Sequence, residues 1–200
     1  QFDREPDAGL RSQRYEFLNR LRVRVVEQLG PAGVEPVGTG GRQGTPVLAV
    51  HGSPRRPINE YIFPDDAVSS PDKLESIFDR VQRVCIVGHT HVPGVFTDEP
   101  DFYSPSELGE DRCYIFREDE KAIVNVGSVG QPRDFDCRAS YVIIYGPGES
   151  IAARPEYRPN APLGFVEFVR IEYDIATTAS KIKANPLLSD WLGDRLFEGR

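Results

Sequence analysis

Apolar residues recur along this chain in short runs bounded by glycine, proline or polar residues. Such runs read as strands, and longer stretches with a 3.6-residue period read as helices. Pro46 to Val50 and Val84 to Val87 are apolar runs that predict two strands. Leu21, Val23 and Val25 alternate with Arg22 and Arg24, the period of a half-buried strand. Arg112 to Phe116, Ala122 to Val126 and Ser140 to Tyr145 predict three more strands, and Phe165 to Tyr173 a last, alternating one. Ser70-Pro71-Asp72-Lys73 opens a helix: Ser70 suits the N-cap, Pro71 the first helical position, and Leu74, Ile77, Phe78 and Val81 form one apolar face. Arg11 to Arg20 predicts a short helix, and Asp174 to Ala184 and Leu187 to Phe197 two further ones. Asn185-Pro186 divides these last two, because a residue preceding proline is driven out of the helical region. Trp191 and Leu192 are expected in the core.

The intervening stretches are rich in glycine and proline. Gly30 to Gly44 and Gly146 to Pro162 lack apolar periodicity and read as loops. Pro54, Pro57 and Pro64 make the segment after His51 an irregular excursion, with Tyr61, Ile62 and Phe63 packing down on the domain. A second excursion runs from Val92 to Ser106. Strands interleaved with a few helices imply an α/β or α+β arrangement around a largely β core.

The chain has three histidines, all in the segments Val50-His51-Gly52-Ser53-Pro54 and Val87-Gly88-His89-Thr90-His91, each directly after a predicted strand. Ligand sites in open α/β folds gather at the carboxyl ends of strands. An isolated histidine is often only a hydrogen-bonded loop residue. Two glycine-flanked segments of this kind favour a metal centre over that reading, with glycine allowing close backbone approach. His91 lies two residues beyond His89, so the pair suits one metal jointly or two adjacent metals singly.

Composition narrows the setting. Two hundred residues suffice for one compact domain spanning 1–200, and no apolar stretch is long enough to cross a bilayer. A formal charge of −7 argues against a general nucleic-acid binder while leaving room for a local cationic pocket. Cys85, Cys113 and Cys137 are odd in number and lack C-x-x-C spacing, which argues against a disulfide framework or a thiolate zinc site and fits a reducing, cytoplasmic setting. Nothing in the sequence reads as a membrane span or signal peptide. The chain starts at Gln1 and contains no methionine, so further residues are expected ahead of it.

These segments resemble the calcineurin-like metallophosphoesterase superfamily. His51-Gly52 resembles its isolated histidine motif, and Gly88-His89-Thr90-His91 its final Gly-His-x-His motif. Val124-Asn125-Val126-Gly127-Ser128-Val129-Gly130-Gln131-Pro132-Arg133-Asp134 resembles a strand-and-loop signature of the bacterial small-phosphodiesterase branch. The likeness runs from about Tyr15 to Arg200 and takes in Asn59-Glu60-Tyr61 and Gly193-Asp194-Arg195-Leu196. It implies a four-layer αββα sandwich, of which this chain is the C-terminal portion, with two divalent metals at the sheet ends. His51 and His89 would bind the second metal and His91 the first. The family's earlier Asp-x-His, Gly-Asp and Gly-Asn-His motifs do not occur here. The catalytic groups are therefore expected upstream of Gln1, and the three histidines are an incomplete ligand set. Imidazole with carboxylate suits Mn²⁺, Fe, Zn²⁺ or Ni²⁺ without choosing among them.

The implied activity is phosphoester hydrolysis by a two-metal activated water, on a small phosphorylated substrate such as a phosphodiester or nucleotide-type phosphate. The chain alone is expected to be weak or inactive. Asn125, Ser128 and Arg133 are candidates for binding substrate. Against each stands a plainer role: Asn125 capping a turn, Ser128 satisfying loop backbone, and Arg133 pairing with Asp134 at the surface. Arg55 and Arg56 read as a solvated charge pair. Two other functions remain open, a non-catalytic scaffold or binding protein on the same fold and a mononuclear three-histidine zinc hydrolase. The pattern does not specify the oligomeric state.

Overall fold

The computed structural model describes residues 7–30, 44–151 and 160–200. In chain order its elements are α1 (Ala8–Arg20), β1 (Val25–Leu29), β2 (Thr45–Ala49), α2 (Asp66–Ser69), α3 (Pro71–Phe78), β3 (Val84–Val87), β4 (Gly94–Thr97), β5 (Asp101–Tyr103), β6 (Cys113–Ile115), β7 (Ala122–Asn125), β8 (Ala139–Tyr145), β9 (Phe165–Ile171), α4 (Ile175–Lys183), α5 (Trp191–Asp194) and a closing 3₁₀ turn (Arg195–Phe197). A six-stranded sheet has the order β1-β2-β3-β7-β4-β5, and a three-stranded sheet the order β6-β9-β8. β2, β3 and β7 run parallel side by side, while the remaining pairings are antiparallel.

Strand alternation builds the layers. In the larger sheet Val47, Val84, Val95 and Val124 point to one face and meet Tyr114, Phe116, Val166 and Phe168 of the smaller sheet, so the two sheets pack face to face. Cys85, Val87, Phe96 and Ile123 point the other way, against Leu74, Ile77 and Phe78 of α3. A helical layer, the large sheet and the small sheet thus follow directly from the core, an α/β sandwich. The apolar stripe of α3 accounts for its seat: Leu74 and Ile77 are fully buried, and each stabilises the fold by about 1.5–3 kcal/mol. Pro71 stands at the start of α3 as expected, but the Ser70 hydroxyl makes no cap hydrogen bond; its carbonyl accepts from Lys73 and Leu74.

Several expectations change. The first strand begins only at Val25; Leu21 and Val23 are exposed, because the chain before Val25 has no partner strand to bury them. The second excursion contains the hairpin β4–β5, hidden in the sequence because Pro93 precedes it and Pro100 lies in its turn. Gly94 is needed there, since a Cβ would fall 2.3 Å from the Phe102 ring. The helix expected over 187–197 is cut to α5 and the closing turn. Trp191, expected in the core, is 57% exposed and lies beneath the Arg195 guanidinium, 4.3 Å from its ring centroid. Leu192 is half-buried. Of the three apolar residues expected to pack down from the first excursion only Ile62 is buried; Tyr61 and Phe63 stay exposed. The loop expected over 30–44 lies mainly outside the described residues, as does part of 146–162. No described helix is long and apolar enough to cross a membrane.

Candidate metal centre

Parallel neighbours bring their carboxyl ends to one edge, and here three do so. Ala49 of β2 pairs with Ile86 of β3, and Val87 of β3 with Asn125 of β7. The ladder extends past the strands: the N–H of Val50 donates to the Ile86 carbonyl, that of Gly88 to the His51 carbonyl and that of Val126 to the Val87 carbonyl, each at 3.0 Å. His51 and His89 therefore leave the sheet side by side. Their ring centroids are 4.6 Å apart at an interplanar angle of 67°, and His51 Nε2 lies 2.8 Å from His89 Nδ1 in a direct hydrogen bond.

The His51 loop is held by its own residues. Ser53 is fully buried; its hydroxyl donates to Glu60 Oε2 and accepts from the backbone N–H groups of Arg55 and Arg56 at 3.1 and 2.9 Å. Arg55 grips Glu60 through Nε and Nη2, so it is paired inside the loop rather than solvated. Burial pushes the Glu60 carboxyl upward, but hydrogen bonds from Arg55 and Ser53 outweigh it and hold the group below its ordinary value. Gly52 admits no side chain, since a Cβ would sit 2.8 Å from the Arg56 carbonyl oxygen and 2.9 Å from the Glu60 nitrogen. Arg24 Nη2 ties the loop to the body by donating to the Pro54 carbonyl at 2.7 Å.

The second loop is held from a distance and under strain. His89 and His91 have φ angles of 67° and 64°, left-handed backbone that non-glycine residues adopt only when their surroundings enforce it. Asn125, fully buried at the end of β7, supplies that enforcement. Its Nδ2 donates to the Gly88 carbonyl at 2.9 Å and to Thr90 Oγ1 at 2.6 Å, while its Oδ1 accepts from the Gly127 N–H at 3.0 Å. Both amide protons and the carbonyl are thus engaged with the loop and with the turn that follows β7. Tyr61 stacks on His89 with centroids 3.9 Å apart at 24°, and on Phe63 at 5.3 Å and 4°. Ser128 Oγ accepts from the N–H groups of Gly130 and Gln131 at 3.2 and 2.9 Å, the backbone-satisfying role.

Gln131 and Arg133 approach from the far side. His91 Nδ1 is 2.7 Å from the Gln131 carbonyl, so that nitrogen carries the proton and Nε2 keeps its lone pair. The Arg133 backbone N–H donates to the His91 carbonyl at 3.2 Å, and Arg133 Nη2 to Gln131 Oε1 at 2.8 Å. No pairing of Arg133 with Asp134 forms, because Asp134 is taken by the buried Arg170. The structure therefore brings His51, His89 and Arg133 to one edge with His91, and sets Asn125 beneath them.

Burial holds both His89 and His91 below the ordinary histidine value. For His89 the neighbouring His51 adds to this, and for both rings Arg133 adds its charge; the Asn59 backbone near His89 and the Gln131 carbonyl at His91 act in the opposite sense. Neutral imidazole is the form that ligates metals. His89 Nε2 is buried and, among the described residues, has no hydrogen-bond partner, an arrangement that is costly unless a ligand satisfies it. His91 shows the second feature of a ligand histidine, its far nitrogen donated to a carbonyl. These observations fit a divalent metal. The set is partial: no group of three or more His, Cys, Asp or Glu among the described residues is arranged to hold a metal ion. Cys85, fully buried in β3, has its thiol pushed up to about 12 by burial.

The chain is similar to known proteins over nearly its whole length. No family model matches it. It is 32% identical over 192 residues to an uncharacterized protein of Methanocaldococcus jannaschii, spanning 96% of this chain and 62% of that protein. A crystal structure of a metallophosphoesterase from Sphaerobacter thermophilus matches with a TM-score of 0.66 at 28% identity, covering 94% of this chain and 62% of that one. A hypothetical protein of Pyrococcus horikoshii matches with a TM-score of 0.57 at 18% identity, covering 94% of this chain and 55% of that one, a likeness of fold alone. The fold is thus of the metallophosphoesterase type, and the chain spans less than two thirds of the length of these relatives.

Thr90 and Tyr61 escaped the sequence reading as site residues. Thr90 sits between the histidines and was legible only as a spacer. Tyr61 lies 28 residues before the ring it stacks on, and only the fold joins them.

Proposed function

We propose that this chain supplies part of the active site of a metal-dependent phosphoesterase, with His51, His89 and His91 as its share of the metal ligands. The observation that carries the reading is the buried, unpartnered Nε2 of His89 beside His51 at the carboxyl ends of adjacent parallel strands. His91 offers Nε2 from the same loop, and His51 adds the exposed ring alongside. When bound, divalent ions at such a site lower the pKa of a water and neutralise phosphoryl oxygens. The chain's own residues orient the reactants. Asn125 keeps His89 and His91 in their left-handed conformations and so reaches substrate only through that loop. The Ser128 hydroxyl, which uses its oxygen on backbone amides, has its proton to donate. Arg133, free of any carboxylate among the described residues, presents its fork to a phosphate.

The substrate is a small phosphodiester or nucleotide-type phosphate, and the ions are two of Mn²⁺, Fe, Zn²⁺ or Ni²⁺ in the whole protein. The whole protein extends beyond these residues, which alone hydrolyse slowly. A cytoplasmic setting goes with this reading. The direct His51–His89 hydrogen bond favours one competitor, a scaffold in which the rings satisfy each other. Hydrolysis of bis-p-nitrophenyl phosphate with added Mn²⁺ separates the two. A longer form carrying the upstream residues turns over, and His89→Ala and His91→Ala each reduce that rate by at least about a hundredfold, the effect of losing a metal ligand or its orientation. Turnover unaffected by both changes, or none in the longer form, contradicts the proposal.

A further inference from the structure

The chain leaving the His51 loop alternates between inward and outward side chains. Glu60 turns in to Ser53 and Arg55, and Ile62, 2% exposed, joins Val50 and Leu74 in the core. Tyr61 and Phe63 turn out. In extended chain residues two apart share a side, so both rings stand on one face. The backbone beneath them is fixed. The Phe63 N–H donates to Asp66 Oδ2 at 2.7 Å, and that buried carboxylate is held in turn by Lys73 Nζ at 2.6 Å.

These rings are aligned with each other and with the histidine edge. Tyr61 and Phe63 stack with centroids 5.3 Å apart and planes 4° from parallel, and Tyr61 stacks on His89 at 3.9 Å and 24°. Tyr61 is thus the middle member of three rings, one of which is the histidine with the unpartnered Nε2. The other two are left 40% and 48% exposed. Apolar side chains standing singly at a surface are ordinary, but ordered, parallel rings touching a polar site present a flat area suited to one more ring.

We infer that Tyr61 and Phe63 are a stacking platform for a flat heteroaromatic ring of nucleobase type, carried by the substrate whose phosphoryl group sits at the histidines. The inference rests on the phosphoesterase reading above and names how its substrate is recognised. The occupant brings a phosphoryl group to the histidines and lies flat at its other end, no more than two stacking steps from His89. A nucleotide does both, whereas an aliphatic phosphoester has nothing to lay on the rings. Tyr61 also props His89, so Phe63 is the residue at which recognition of the base is read apart from the metal edge.

Inhibition of bis-p-nitrophenyl phosphate hydrolysis, in the longer form with added Mn²⁺, tests the platform. The competitors are AMP and ribose 5-phosphate, which share a phosphorylated sugar and differ in the base. The inhibition constant is about tenfold lower for AMP, the scale of one base stacked on an aromatic side chain. Phe63→Leu, which keeps apolar bulk without the ring, brings the two constants to within about twofold. Phe63→Trp, which enlarges the ring, keeps the preference for AMP and guards against a folding defect in the leucine variant. Hydrolysis with equal inhibition by the two competitors overturns the platform and leaves the phosphoesterase reading standing; an upstream segment seated on the rings gives this result. A preference that survives Phe63→Leu, or is lost in Phe63→Trp, also overturns it. If the longer form does not hydrolyse the ester at all, both readings fall.

Discussion

The two histidine loops reach the same edge by opposite means. The His51 loop is stabilised from within: Ser53, Arg55 and Glu60 bond one another across seven residues or fewer, and Gly52 makes room for the backbone they fold back. The His89-Thr90-His91 loop contains almost nothing that holds it. Its two left-handed residues are fixed by Asn125, 35 residues from Thr90, and by the Tyr61 ring. The bonds that shape the first loop come mostly from its own residues, whereas those that shape the second come from Asn125 at the end of β7. Local chemistry sets one ligand in place; tertiary structure sets the other two.

That difference can be broken at its strongest point first. Asn125→Ala removes two donors and one acceptor from a buried network and costs about 3 kcal/mol in urea unfolding. Ring signals of His89 and His91 should shift most, with that of His51 following only through its hydrogen bond to His89. Next, Ser53→Ala strands two backbone amides and takes one donor from the Glu60 carboxylate, which keeps Arg55, with a cost of about 1–2 kcal/mol by the same measurement and the disturbance centred on His51. A Ser53 change that disturbed all three histidines equally would erase the contrast. Tyr61→Leu should cost about 1 kcal/mol, the order of a ring-stacking contact, and broaden the His89 signal more than that of His51.

The smallest expected effect is a response to acid. Glu60 is held below its ordinary value of 4.5, so its stabilisation is fully present above that value and is lost as pH falls below it toward the lower folded value. Asn125 has no charge to lose. Comparison of urea midpoints between pH 3 and 6 should therefore show a component that vanishes in Glu60→Gln, with no corresponding change in an Asn125 variant.

The same division explains what could be read from the sequence. β2, β3 and β7, the apolar face of α3 and the histidines at strand ends all rest on local pattern, and each was legible from neighbouring residues. Gly52 belongs with them. Asn125 was visible as a polar residue closing a strand, but its work is done on Gly88 and Thr90 across two strands, which spacing does not reveal. The exposure of Trp191 was missed for a related reason: an aromatic residue in a helical pattern reads as core, and only the folded chain shows Arg195 lying over it. The hairpin β4–β5 was obscured by prolines that end strands as readily as they exclude them.

Metal binding by His51, His89 and His91 can be read ring by ring. The chain has no others, so a long-range ¹H–¹⁵N correlation spectrum resolves each ring and titration with Zn²⁺ reads them directly. Nε2 of His89 and of His91 is expected to shift together with the His51 ring, His91 to keep its proton on Nδ1, and the change to saturate near one ion per chain, because three neutral imidazoles do not offset the repulsion of a closely spaced pair. Zn²⁺ that left His89 Nε2 unmoved, or moved one ring alone, would contradict it.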